Sequence, residues 1–273
     1  MPEGHHLHGL AGRLTRAFAG RPVAASSPQG RFADGAALLD GRVLREVSAW
    51  GKHLFAEFEA DTWLNVHLGL IGRWDVDRVE GDITPWGQVR LRLRNDRYVA
   101  DLRGATLCAV VTPEEVQATR ARLGPDPLRP GADPERAWQK LSRSGRPVGE
   151  LLADQAVVAG IGNVYRCELL FRARVDPFRP GREIRPSTWH RIWDDVVELM
   201  PLGVAASRIL TMQDQVEEAL AQLADTGKVD LPDHRFYVYR RTGEPCRVCG
   251  SKIRSQVMGG RNLFWCGRCQ RRR

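Results

Sequence analysis

Four of the six cysteines, Cys246, Cys249, Cys266 and Cys269, fall in the last 28 positions as two Cys-x2-Cys pairs with sixteen residues between them. Two such knuckles offer four thiolates that can close a tetrahedron around zinc. A complete sulfur set leaves no open coordination position, so the expectation is one structural Zn2+. A redox pair gains nothing from being doubled. The other two, Cys108 and Cys167, read as packing residues.

A second candidate lies at the start, where Pro2 and Glu3 follow the initiator Met1. With Met1 removed, Pro2 is a secondary amine with a nucleophilic nitrogen. An α-amino group has a pKa near ~7.7–8.0, so an appreciable fraction is unprotonated at neutral pH. The helix that follows presents its positive end to this amine and disfavours protonation further. A neighbouring carboxyl can give or take a proton. By itself such a start is ordinary.

The third is AGIGNVYRCELLF (159–171), a glycine turn feeding a helix. Amides at a helix N-terminus can hold a phosphate, and Asn163 adds a side-chain donor. A tight helical corner with no ligand explains the same residues equally well. Lys52, at a turn ahead of HLFAEF, is similarly open when taken alone.

Different elements must carry these groups. Leu7, Leu10, Leu14 and Phe18 recur at helical spacing across 5–18. From about Val23 to Val111 the period becomes two: Val89, Leu91 and Leu93 alternate with Arg90, Arg92 and Arg94, while Leu54, Ala56 and Phe58 share a face. Glycine punctuates these runs, which fits antiparallel sheets in a sandwich or barrel. GPDPLRPGADP (124–134) reads as a linker. Beyond it Trp189, Ile192, Trp193, Val196, Val197 and Met200 make a helical stripe, with Ser187 as its expected N-cap. Helices also fit 148–155, 163–173 and 214–225. The expected domains are 1–123, a linker at 124–134, a helical domain at 135–234 and a finger at 235–273.

Composition is that of an ordinary globular chain: 273 residues, 42% hydrophobic, 27% charged. No run of eighteen apolar residues can span a bilayer, and MPEGHHLH lacks the features of an export signal. With the clustered cysteines this suggests a reduced, cytoplasmic setting. Net charge is +8, yet it is uneven. Positions 235–273 carry eleven basic residues and one acidic, whereas 1–234 carry 30 against 32. Concentrated positive charge points to a polyanion, nucleic acid first. Only four basic residues are lysine, so a single arginine says little here.

Read in order, MPEG, GKHLF (51–55), HLGLIGRW (67–74), LGPDPL (123–128), AGIGNVYRCELLF and GEPCRVCG…GRNLFWCGRCQ resemble the formamidopyrimidine-DNA glycosylase/endonuclease VIII family. The resemblance runs from residue 1 to about 270, and the MPEG start is closer to the endonuclease VIII branch. It implies an α+β fold: an N-terminal β-sandwich with flanking helices, then a helical helix–two-turn–helix domain with a zinc finger. It implies a monomeric bifunctional DNA glycosylase/AP lyase acting on damaged double-stranded DNA, away from membranes. Oxidised pyrimidines are the favoured lesions.

By that resemblance Pro2 attacks C1′ of the damaged nucleoside to form a Schiff base and Glu3 is the general acid. Lys52 contacts a phosphate near the lesion. Asn163 and Arg261 bind flanking phosphates, and Leu70 fills the gap left by base flipping. One position departs from the family: His6 stands where a second glutamate is common. The alternative is a DNA-binding protein that kept fold and finger but lost catalysis; intact Pro2, Glu3 and Lys52 argue against it. Retention of Met1 would decide for it, because the Pro2 nitrogen would then be an unreactive amide.

Overall fold

Alternating apolar residues build two antiparallel sheets in the first part of the computed structural model, which describes residues 2–81 and 84–271. The chain divides after Arg122 into two units. The first contains α1 (Gly4–Phe18), β1 (Arg21–Pro22), β2 (Ala24–Ser26), α2 (Ala33–Leu39), β3 (Val43–Trp50), β4 (His53–Phe58), β5 (Thr62–His67), β6 (Arg73–Arg78), β7 (Val89–Arg94), β8 (Tyr98–Arg103), β9 (Leu107–Val111) and α3 (Pro113–Arg122). One sheet has the order β1-β3-β4-β5-β9 and the other β2-β7-β8-β6.

The sheets enclose one core. Leu54, Ala56, Phe58, Leu64 and Val66 from the first meet Trp74, Leu91, Leu93, Ala100 and Leu102 from the second. The α1 stripe of Leu7, Leu10, Leu14 and Phe18 is buried in the same cluster. At about 1.5–3 kcal/mol per fully buried side chain, that stripe fixes the helix far more firmly than propensity could. Thr15 adds a two-way bond to β3, its hydroxyl donating to Val47 O at 3.1 Å and accepting from Val47 N at 3.2 Å. The polar half of β7 is not all solvent-facing: Arg92 is buried in a bidentate pair with Asp101 at 2.7 and 2.8 Å.

The second unit carries α4 (Pro134–Leu141), α5 (Val148–Leu151), α6 (Asn163–Arg172), α7 (Pro186–Ala205), α8 (Gln213–Thr226), β10 (Arg254–Met258) and β11 (Arg261–Trp265). Trp189, Ile192, Trp193, Val196 and Met200 enter its core as the stripe requires; Val197 stays exposed. Three expectations need correction. Helix α7 begins at Pro186 with Arg185 at the N-cap, not Ser187, because proline's fixed φ suits the first helical position. The helix expected over 148–155 ends at Leu151, since the Asp154 carboxylate accepts from Ala156 N at 3.0 Å and turns the chain. The stretch read as a linker is buried over its first residues, 124–127: Gly124 N donates to Gln155 O at 2.9 Å and Pro125 O accepts from Ala159 N at 3.0 Å. A Cβ on Gly124 would collide with the Val157 carbonyl, so this glycine serves close packing instead of freedom.

Candidate functional site

In the first unit the candidate residues gather at one end. Gly20 N bonds Leu44 O and Thr15 bonds Val47, so α1 runs antiparallel to β3. Its N-terminus, with Pro2 and Glu3, therefore points toward the end of β3 where Gly51 and Lys52 form the turn into β4. The register His53↔His67 puts the end of β5 beside that turn, and the loop carrying Leu70 leaves from there. Leu70 is exposed at the tip. Gly72 closes this loop under steric duress, since a Cβ there would strike the Leu68 carbonyl. Glu3 is the N-cap of α1 and is completely buried; its carbonyl accepts from His6 N at 2.9 Å. A carboxyl at that place lies at the positive end of the helix.

Histidines surround this end. Burial, and then the neighbouring His6, push His5 down to about 3. Burial and then Arg13 lower His6 as well. His53 is lowered by burial, against an opposing hydrogen bond from Asn65, whose Oδ1 lies 3.1 Å from His53 Nδ1. All three imidazoles are therefore neutral at neutral pH. In this state His6 acts as a hydrogen-bonding group and not as a cation.

The second unit assembles Asn163, Arg261 and the cysteines. Asn163 opens α6, and its Nδ2 donates to Asn262 O at 2.9 Å. Asn262 follows Arg261, which begins β11 just after the Gly259–Gly260 turn. The four sulfurs lie within 4.8 Å of one another, with Cys246–Cys269 at 3.9 Å and Cys249–Cys266 at 3.5 Å. A tetrahedron with Zn–S near ~2.3 Å has sulfurs about 3.8 Å apart, so the donor set fits one structural zinc. Behind it, Cys167 packs with Phe171, Val238, Leu263 and Phe264, as a buried free cysteine should. Cys108 is half-buried in β9, its thiol pushed up to about 12 by burial.

Two supporting residues escape sequence reasoning. Arg166, fully buried one turn into α6, donates to Gly149 O at 3.3 Å, Met258 O at 3.1 Å and Arg261 O at 3.3 Å. It spans the turn whose tip carries Arg261. Glu168 accepts from the amides of Tyr237, Val238 and Tyr239 and from the Thr211 hydroxyl, all at 2.8–2.9 Å. Burial pushes its pKa up while these donors favour the charged form. Their only sequence signal is two charges inside an otherwise apolar helical run.

Three family models cover most of the chain: the formamidopyrimidine-DNA glycosylase N-terminal domain at 1–108, the formamidopyrimidine-DNA glycosylase H2TH domain at 123–214 and the zinc finger found in FPG and IleRS at 243–272. Endonuclease 8 1 of Mycobacterium tuberculosis is 50% identical over 99% of this chain and 100% of its own length. The formamidopyrimidine-DNA glycosylase of Methylococcus capsulatus is 31% identical over 85% of this chain and 84% of its own. The crystal structure of MutM (Fpg) from Thermus thermophilus superposes with a TM-score of 0.76 at 28% identity, covering 98% of each chain. No helix among the described residues is long and apolar enough to cross a membrane. With its sandwich, its helical unit and its four-cysteine finger, the chain belongs to the formamidopyrimidine-DNA glycosylase/endonuclease VIII family of DNA glycosylases acting on damaged DNA.

Proposed function

We propose that this chain is a bifunctional glycosylase/AP lyase that removes oxidised bases, pyrimidines foremost, from double-stranded DNA. The observation that carries the reading is the placement of Pro2 and the buried Glu3 at the same end of the sandwich as Lys52 and Leu70. The Pro2 nitrogen forms a bond to C1′ as the C1′–base bond breaks and the base leaves with a proton. Glu3 protonates the ring oxygen as the sugar opens, leaving an iminium between Pro2 and C1′. Loss of a C2′ proton then expels the 3′ phosphate by β-elimination, and water releases the enzyme. Lys52, Asn163 and Arg261 hold backbone phosphates, which position the duplex without reading its sequence. Leu70 replaces stacking lost when the damaged nucleotide is extruded. Zinc, bound by Cys246, Cys249, Cys266 and Cys269, supplies folding energy to the finger and no chemistry.

Three points favour pyrimidines. Saturated, non-planar pyrimidines stack poorly, so extruding them costs less than the few kcal/mol of a normal base. A planar 8-oxopurine needs dedicated pocket contacts, and the segment 211–233 that could supply a loop is largely the helix α8. The 50% identical relative is named an endonuclease 8.

The test is borohydride trapping on DNA with an abasic site, paired with intact-mass measurement of the N-terminus, which for Met1 lies outside the described residues. Trapping by the wild type and its loss in Pro2→Gly are expected. Undiminished trapping in that variant, or a uniformly retained methionine, would remove Pro2 as nucleophile. Glu3→Gln is expected to bind damaged duplex but not excise.

A further inference from the structure

Among the described residues of the first unit, four large apolar side chains are exposed: Leu38, Leu70, Ile71 and Trp86. Scattered singly, such residues mean little. Three of these four, however, share one end of the second sheet. Leu70 and Ile71, 58% and 85% exposed, lie in the loop that runs into β6 at Arg73. Arg73 pairs in register with Arg103 at the end of β8. Arg103 Nε donates to the Trp86 carbonyl at 3.2 Å, and Trp86 is 61% exposed.

The indole is held as well as displayed. The Arg103 guanidinium lies 4.3 Å from its ring centre and that of Arg73 4.6 Å. Arg103 cannot drift, because it donates to Asp75 and Asp101 at 2.8 Å each, and Asp101 is clamped by Arg92. An exposed aromatic resting on fixed guanidinium groups has already lost much of the freedom that binding would otherwise remove. The flat, electron-rich surface it offers suits a nucleobase that has lost its stacking partner, whatever the base.

We propose that Trp86 is a base-stacking residue that extends the Leu70–Ile71 tip and favours damaged DNA with unpaired bases over fully paired duplex. The proposal rests on the reading above, in which the Leu70 rim meets DNA. Its effect is on binding and on choice of DNA context, since nothing places Trp86 among the reacting atoms.

The test uses the full-length, zinc-loaded protein and fluorescence anisotropy with three DNAs. One carries a tetrahydrofuran abasic analogue in a bubble, one carries it in an otherwise paired duplex, and one is undamaged duplex. Trp86→Ala is expected to weaken binding to the bubble about tenfold, within the range for loss of one base–aromatic stack, and undamaged duplex far less. Trp86→Phe is expected to restore most of the loss, and Trp86→Leu little, which separates stacking from packing even if the alanine variant folds poorly. Wild-type binding by Trp86→Ala, an equal loss on all three DNAs, or rescue by leucine as good as by phenylalanine would overturn the assignment. Leu70→Ala is measured alongside. If it weakens binding while Trp86→Ala does not, the DNA-facing rim stands and Trp86 falls. If neither matters, both fall.

Discussion

The Nδ2 of Asn163 donates to the carbonyl of Asn262 across 2.9 Å, so the first residue of α6 holds the second residue of β11. Arg166, one turn on, reaches the carbonyls of Met258 and Arg261 on either side of the glycine turn. Helix and finger hairpin are thus joined at the base of the tip. Replacing Arg166 with Met would leave these carbonyls without the guanidinium, at about 1–3 kcal/mol for buried groups left unpaired. We expect faster amide hydrogen exchange across 254–265 and about tenfold weaker DNA binding, with zinc content unchanged. Unaltered exchange there would show that the guanidinium does not hold the tip.

Salt dependence separates the two phosphate candidates of this unit. Each neutralised phosphate contributes a slope of roughly −0.9 to the logarithmic plot of affinity against salt. Arg261→Ala is expected to flatten the slope by about one, whereas Asn163→Ala weakens binding without changing it. An unchanged slope for Arg261→Ala would take that residue off the backbone.

Metal removal is the third test. Elemental analysis should find one zinc per chain, bound by the four clustered sulfurs. Chelation under mildly denaturing conditions should release the β10–β11 hairpin, and with it the packing of Trp265 on Phe178, whose rings lie 5.0 Å apart. Exchange in the sandwich should stay as it was, because zinc contributes folding energy only where its ligands are. Simultaneous loss of protection in both units would refute a locally structural metal.

Acid should weaken the first unit through His5. Its folded pKa, about 3, lies below the ordinary 6.5, so the folded state stays neutral while the unfolded chain takes up a proton. The stability is present in full above pH 6.5 and drains as pH falls from there toward 3. By linkage the loss at pH 5 is about 2 kcal/mol. The urea midpoint should therefore fall further between pH 7 and pH 5 in the wild type than in His5→Leu. Parallel losses in both proteins would assign the acid sensitivity elsewhere.

Much of this is legible because it rests on periodicity and spacing. Leu7, Leu10, Leu14 and Phe18 share one face of α1 and all are buried. The two Cys-x2-Cys pairs announce their own meeting, since four thiolates at that spacing have few other uses. Proline and glycine report backbone geometry and say nothing of burial, which is why 124–134 looks like a tether while its first residues lie inside the helical unit. The α7 start misleads for a related reason: serine is a good cap, but Pro186 has already fixed the helical φ one residue earlier. Arg166 is hidden by abundance. In a chain whose cations are nearly all arginine, one that reaches backbone carbonyls far along the chain carries no local mark.

Those carbonyls have an evolutionary corollary. The bonds from Asn163 and Arg166 to the carbonyls of Met258, Arg261 and Asn262 end on main chain. Carbonyls are the same whatever side chain hangs beside them. The tip can therefore exchange its exposed residues without losing its place, while the two residues of α6 that grip it have no such latitude. Saturation mutagenesis should find a tolerant hairpin gripped by an intolerant helix, an arrangement in which new contacts can be tried at the surface without rebuilding what supports them.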